Sequence, residues 1–313
     1  MSVANSQGNA GISSGGVFFA ARRKVFELQL LSLEGAALVT LMAVVASAFL
    51  IPLFLAYDPS DLSKINLMDA FTPPVWLGGG NWSLPFGADD QGRDLLAMIV
   101  HGTRTSLIIA TLAVSLSMVL GVTAGLAASY YRGWLEIVIL RLADVQLSFP
   151  PLLIALVIDG VLHGIIKDRD SALLSGTVVV AAIALSGWVQ YARSVRASAL
   201  VELQGEYVVA SLISGCSVAR CLFLHVLPNV FSSILVLGSI QIASAIIIEA
   251  TLSFLGVGLP VTKPSLGTLI RVGNNFLLSG QWWVSVLPGL VLVLIVLCCN
   301  LVGDWLQDRI ARK

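Results

Sequence analysis

Glu249, in "IIIEATLSF", and Asp159, in "LVIDGVL", are carboxylates set inside long apolar runs. A charge in hydrocarbon is costly, so such a group serves a pathway, a gate or a buried hydrogen-bonding partner. Glu249 lies 21 residues beyond Pro228; at about 1.5 Å per residue it stands roughly 31 Å along its helix. It is therefore expected at the outer interface, paired with Ser, Thr or water or acting at an external mouth. Other chemistry has little support. His101, His163 and His225 show no ligand spacing, and Cys216, Cys221, Cys298 and Cys299 read as small buried hydrophobes, so neither a metal nor a cofactor site is expected. A membrane serine protease needs Ser and His within reach inside spans, and no histidine lies mid-span. The phosphate-binding pattern G-x-x-x-x-G-K-[ST] does not occur, so the chain has no ATP site of its own and is not an enzyme.

The elements that position these residues are membrane helices. With 57% hydrophobic and 12% charged residues, and a mean hydropathy of +0.91, the chain is too apolar for an ordinary soluble domain. A net charge of zero gives no basic field for nucleic acid. Runs of about 20 apolar residues mark six spans, near 35–57, 105–129, 143–164, 172–191, 228–256 and 283–304. Residues 1–34 form an N-terminal tail. The stretch 58–104 is a loop whose "PFGADDQGRDLL" leads through a short interfacial helix into the second span, and residues 105–313 form a core of five spans. Pro52, Pro150, Pro151 and Pro288 interrupt helical hydrogen bonding inside the membrane. An N-in, C-in orientation puts eleven of the 18 Lys and Arg inside, from Arg22 to Lys313, and seven outside.

By that topology residues 192–227 are cytoplasmic. Val208, Val209, Leu212 and Ile213 share one helical face within "GEYVVASLISG". Gly215 stops that helix, a second begins near Arg220, and Pro228 suits the first turn of the fifth span. The result is a short, partly apolar helical hairpin projecting from the membrane, a surface that seeks a partner.

Ala210, Gly215 and, nine residues later, His225-Val226-Leu227-Pro228 resemble the cytoplasmic loop of permease subunits of binding-protein-dependent ABC importers. That motif reads Glu-Ala-Ala, three residues, Gly, nine residues, Ile-x-Leu-Pro, and His for Ile is typical of the oligopeptide/dipeptide branch. Segments in register from "ARRKVFELQ" through "YYRGWLEIVILRLADVQLSFPPLLIAL", "PSLG" and "NLVGDWLQD" are similar to the C-type subunit of that branch. Val209 stands where the family has Glu, Ser211 replaces the second Ala, and Leu212 stands where a basic residue is common. Glu206, one turn earlier, is placed to take over a polar contact.

The resemblance implies an all-α, six-helix type I importer permease in a bacterial inner membrane. It implies a second homologous permease, two ATP-binding cassette subunits that use ATP and Mg, and an external solute-binding protein. The implied ATPase-coupling residues are Glu206, Tyr207, Val209, Ala210, Ser211, Gly215, His225 and Pro228. Pro150, Pro151, Asp159, Glu249, Ser253 and Phe254 are candidates for the pathway or external gate. Peptides are the implied cargo, with glutathione, a nickel complex or another small solute as alternatives within the class. An ion-coupled secondary transporter, the rival class, predicts inverted repeats and a mid-membrane charged pair, and the sequence shows neither.

Overall fold

A computed structural model describes residues 33–52, 66–165, 172–260 and 263–311. Most of the expected N-terminal tail and residues 53–57 of the first span lie outside them. The helices are α1 (Leu33–Pro52), α2 (Leu95–Tyr130), α3 (Trp134–Leu147), α4 (Pro151–Ile165), α5 (Ala172–Glu202), α6 (Glu206–Ile213), α7 (Val218–Cys221), α8 (Leu227–Phe254), α9 (Leu266–Asn274) and α10 (Trp283–Ala311). Among the described residues α1, α2, α5, α8 and α10 are each long and apolar enough to cross a bilayer, and the bent pair α3 with α4 is together apolar enough for a sixth passage. The protein is an all-α polytopic membrane protein.

Three elements differ from expectation. The separate interfacial helix expected within 58–104 is instead the first part of α2. Asp94 caps that helix by accepting from the Leu96 N–H at 3.0 Å, and nothing after it breaks the helical hydrogen bonding. Gly102, inside this helix, is a packing residue: a Cβ there would lie 3.2 Å from the Ser265 carbonyl carbon at the start of α9. The loop before Asp94 is built around a buried ion pair, with Asp89 accepting from Arg93 Nε at 2.7 Å and from the Arg93 N–H at 2.8 Å. Secondly, the fourth span runs to Glu202, so the segment 192–227 opens with helix rather than loop.

The third difference is the expected single span at 143–164, which is two helices bent by 100°. Pro150 and Pro151 lack N–H groups, and a residue before proline is pushed out of helical geometry. The break is held by α5. Gln146 Nε2 donates to the carbonyls of Leu185 at 2.9 Å and Ser186 at 2.8 Å, and Trp188 Nε1 donates to Gln146 Oε1 at 2.9 Å. Arg196 Nε donates to Glu136 at 2.9 Å, and Arg193 pairs with Asp144.

Among the described residues the most extensive helix–helix packing is the seam between α2 and α5. Ser117, Gly121, Gly125 and Ser129 recur every four residues and are all buried. A Cβ on Gly125 would sit 2.6 Å from the Ala192 carbonyl oxygen. Small residues at this spacing let helix backbones approach where burial against lipid supplies no drive. Ser117 meets Ala184 and Gly125 meets Ala192, so α2 and α5 run parallel. Two parallel crossings require the chain to return through the bilayer between them, and the bent α3–α4 pair is the segment that does so. Helix α8 packs on both α2 and α5, α4 on α5, α9 on α2 and α8, and α10 mainly on α8 and α9.

Candidate functional site

The hairpin sits where α5 ends and α8 begins. Val208 is fully buried and anchors α6 to the core, while Val209 and Ile213 are exposed, the latter 82%. Gly215 ends the helix with φ +85°, a backbone region that favours glycine. Open space surrounds the position of its missing Cβ, so a larger residue there meets backbone strain rather than crowding by this chain. The second helix, α7, starts at Val218 rather than Arg220. It passes through a π-helical turn at Leu222–Val226 into α8, with Pro228 in the first turn. Phe223 and Leu224 of that turn are exposed; Cys221, Leu222 and Val226 are buried. Glu206, Ala210, Gly215 and Pro228 are exposed, and Ser211 and His225 half-buried.

A three-residue tie holds this hairpin to both long helices. Tyr207 donates its hydroxyl hydrogen to Glu202 of α5, and Asn229 of α8 donates to Glu202 at 3.1 Å and to the Tyr207 oxygen at 2.7 Å. The bond to Glu202, and then burial, raises the Tyr207 pKa and keeps the phenol a donor. The tie thereby links α6 to the ends of α5 and α8 together.

At the opposite end of α8, Glu249 is fully buried, and its partners are serines, one of the pairings its sequence context suggested. It accepts from Ser106 of α2 at 2.7 Å and from Ser253 at 2.8 Å. Ser106 in turn accepts from the Leu266 N–H at 3.3 Å, at the first turn of α9. Ser265 and Thr268 form a reciprocal cap for α9. Gly267 lets α9 lie against α8, since a Cβ there would be 2.7 Å from Ala250 Cα. The carboxyl group thus joins α2, α8 and the start of α9. Of the other gate candidates, Ser253 belongs to this cluster, while Phe254 is exposed on the same helix.

The remaining candidates do not converge with it. Asp159 is buried on α4, and Pro150 is exposed at the break. Pro151 lines a cavity of about 100 Å³ between α2, α5 and α8, together with Ser117, Ser186, Gln190, Gln241 and Ser244. Sequence reading missed this polar group. Its signal was two glutamines inside apolar runs, in "SGWVQYA" and "GSIQIAS".

Residues 117–313 match the family of binding-protein-dependent transport system inner membrane components. The chain is 34% identical over 276 residues to the dipeptide transport system permease protein of Haemophilus influenzae, covering 88% of this chain and 89% of that one. It is 35% identical to the di/tripeptide transport system permease protein of Pseudomonas aeruginosa, covering 88% and 86%. A crystal structure of an amino acid ABC transporter with histidines aligns at a TM-score of 0.51 and 15% identity, over 68% of this chain and 94% of that one. At that identity the likeness concerns the fold.

Proposed function

The chain belongs to the family of binding-protein-dependent transport system inner membrane components, and from that premise we propose that it is the transmembrane permease subunit of an ATP-driven peptide importer. Cargo of this class is what the printed names of its relatives describe. The observation that carries the mechanism is the hairpin. Val209, Ile213, Phe223 and Leu224 offer an exposed apolar surface beyond the ends of two membrane helices, as a helix docked in a groove of a partner requires.

In this reading the hairpin faces the cytoplasm, in agreement with the distribution of Lys and Arg, and both termini lie there. Each of two ATPase subunits receives one such hairpin, one from this chain and one from a second, homologous permease. Closure of the ATPases on ATP and Mg moves α6. The tie among Glu202, Tyr207 and Asn229 passes that motion to α5 and α8. An external solute-binding protein delivers the peptide to the far end, where the Glu249 cluster fixes α9 to the bundle.

The test is reconstitution in proteoliposomes. The full complex with its binding protein takes up peptides only with ATP, and the permease alone takes up none. Uptake by this chain alone, driven by an ion gradient, would overturn the reading. In a cysteine-free background, Asn81→Cys should react with an impermeant thiol reagent in sealed cells and Glu206→Cys should not.

A further inference from the structure

Gln190 of α5 and Gln241 of α8 meet deep in the membrane. Gln190 lies 12 residues before Glu202 and Gln241 lies 14 residues after Leu227, which puts them about 18 and 21 Å along their helices from the hairpin end. With those helix ends at the edge of an apolar core about 30 Å thick, both glutamines lie well inside it. Gln241 Nε2 donates to Gln190 Oε1 at 2.9 Å. Among the described residues this bond leaves the Gln190 NH2 group and the Gln241 carbonyl oxygen without a further protein partner. Gln241 is mostly buried, but Gln190 is exposed. An amide facing hydrocarbon loses its hydrogen bonds at a cost of several kcal/mol. The exposed side of Gln190 therefore faces water or a polar molecule.

The two amides line the cavity that Ser117, Ser186 and Ser244 complete. Ser117 donates to the Ala184 carbonyl at 2.7 Å and Ser186 to the Ile183 carbonyl at 2.8 Å, which leaves their oxygens free to accept. No side chain lining the cavity carries a charge. Its volume of about 100 Å³ holds roughly three waters and is too small for a peptide, so it forms one wall of a site rather than the whole.

A free donor beside a free acceptor is what the N–H and C=O groups of an extended peptide pair with. Contacts of this kind ignore side chains, which suits a carrier of many sequences, and an uncharged wall does not trap the charged termini of a short peptide. We infer that Gln190 and Gln241 form a subsite that transiently binds the backbone of a peptide crossing the membrane. This rests on the peptide-importer reading above.

The test uses the complete complex with its binding protein in proteoliposomes, a pool of radiolabelled di- and tripeptides, and the near-isosteric variants Gln190→Met and Gln241→Met. Each is expected to lower uptake about three- to tenfold, as the loss of one or two hydrogen bonds implies, while binding-protein-stimulated ATP hydrolysis persists. A peptide methylated on its backbone nitrogens should be taken up more slowly by the wild type, and the Gln190 variant should add little further loss. Uptake equal to wild type in both variants would overturn the subsite, as would parallel loss of uptake and ATP hydrolysis, which marks a structural pair. Absence of peptide uptake by the wild-type complex, with another solute carried, would overturn the importer's cargo and this ligand with it.

Discussion

Replacing Glu249 by leucine removes the acceptor for two buried hydroxyls, Ser106 at 2.7 Å and Ser253 at 2.8 Å. A buried donor left without a partner costs about 1–3 kcal/mol. Both serines stand on helices and can turn to a carbonyl one turn back, so the lower bound applies to each. We therefore expect Glu249→Leu to destabilise the detergent-solubilised protein by about 2 kcal/mol. Glu249→Gln keeps one acceptor oxygen and should cost half of that or less. The Glu249→Leu/Ser253→Ala double variant removes one orphaned donor and should recover about 1 kcal/mol relative to Glu249→Leu. Thermal unfolding followed by fluorescence-detected gel filtration measures all three. A Glu249→Leu protein as stable as wild type would refute the reasoning, and so would a double variant whose loss equals or exceeds the sum of the single losses. Transport abolished in Glu249→Gln at unchanged stability would instead assign the carboxylate a direct part in the pathway.

Tyr207→Phe deletes both the bond to Glu202 and the acceptor for Asn229 on an exposed side chain, and Asn229 keeps its bond to Glu202, so stability should change by about 1 kcal/mol or less. Peptide uptake should fall at unchanged ATP hydrolysis in the reconstituted complex. Gly215→Val places a branched side chain at φ +85° and should strain the hairpin by about 1–3 kcal/mol; membrane insertion persists, and co-purification of the ATPase reports the loss. Gly121→Val forces apart the seam where α2 meets Trp188 and Tyr191 of α5, and should destabilise by about 1–3 kcal/mol, read as a lower thermal midpoint.

The hairpin was legible in the sequence because its signals are local. Gly215 and Pro228 act on their own backbone, and the positive φ of the one and the first-turn position of the other follow from residue type. The double proline at Pro150 and Pro151 likewise marked interrupted helical hydrogen bonding, though within what read as a single span. The 100° angle there did not follow, because it is held by Gln146 reaching residues 39 and 40 positions away. Glu249 shows the same division. Its place along α8 was countable, but its burial depends on α9, a helix of nine residues too short to stand out as a periodic pattern. The cap residues Ser265 and Thr268 were the available sign of it. Gln190 and Gln241 escaped notice because their meaning lies in their meeting across 51 positions, which neither run displays alone.

The central claim, that α6 docks on an ATPase subunit, is tested most directly by photocross-linking from Ile213, a strongly exposed apolar side chain of α6. A photoreactive residue is placed there in the assembled complex in native membranes, with Val293 on the exposed side of α10 as the control. The account predicts a cross-link from Ile213 to the ATPase that changes in yield when ATP is added, and none from Val293. Active uptake with no ATPase cross-link from Ile213, or an equal one from Val293, would contradict it.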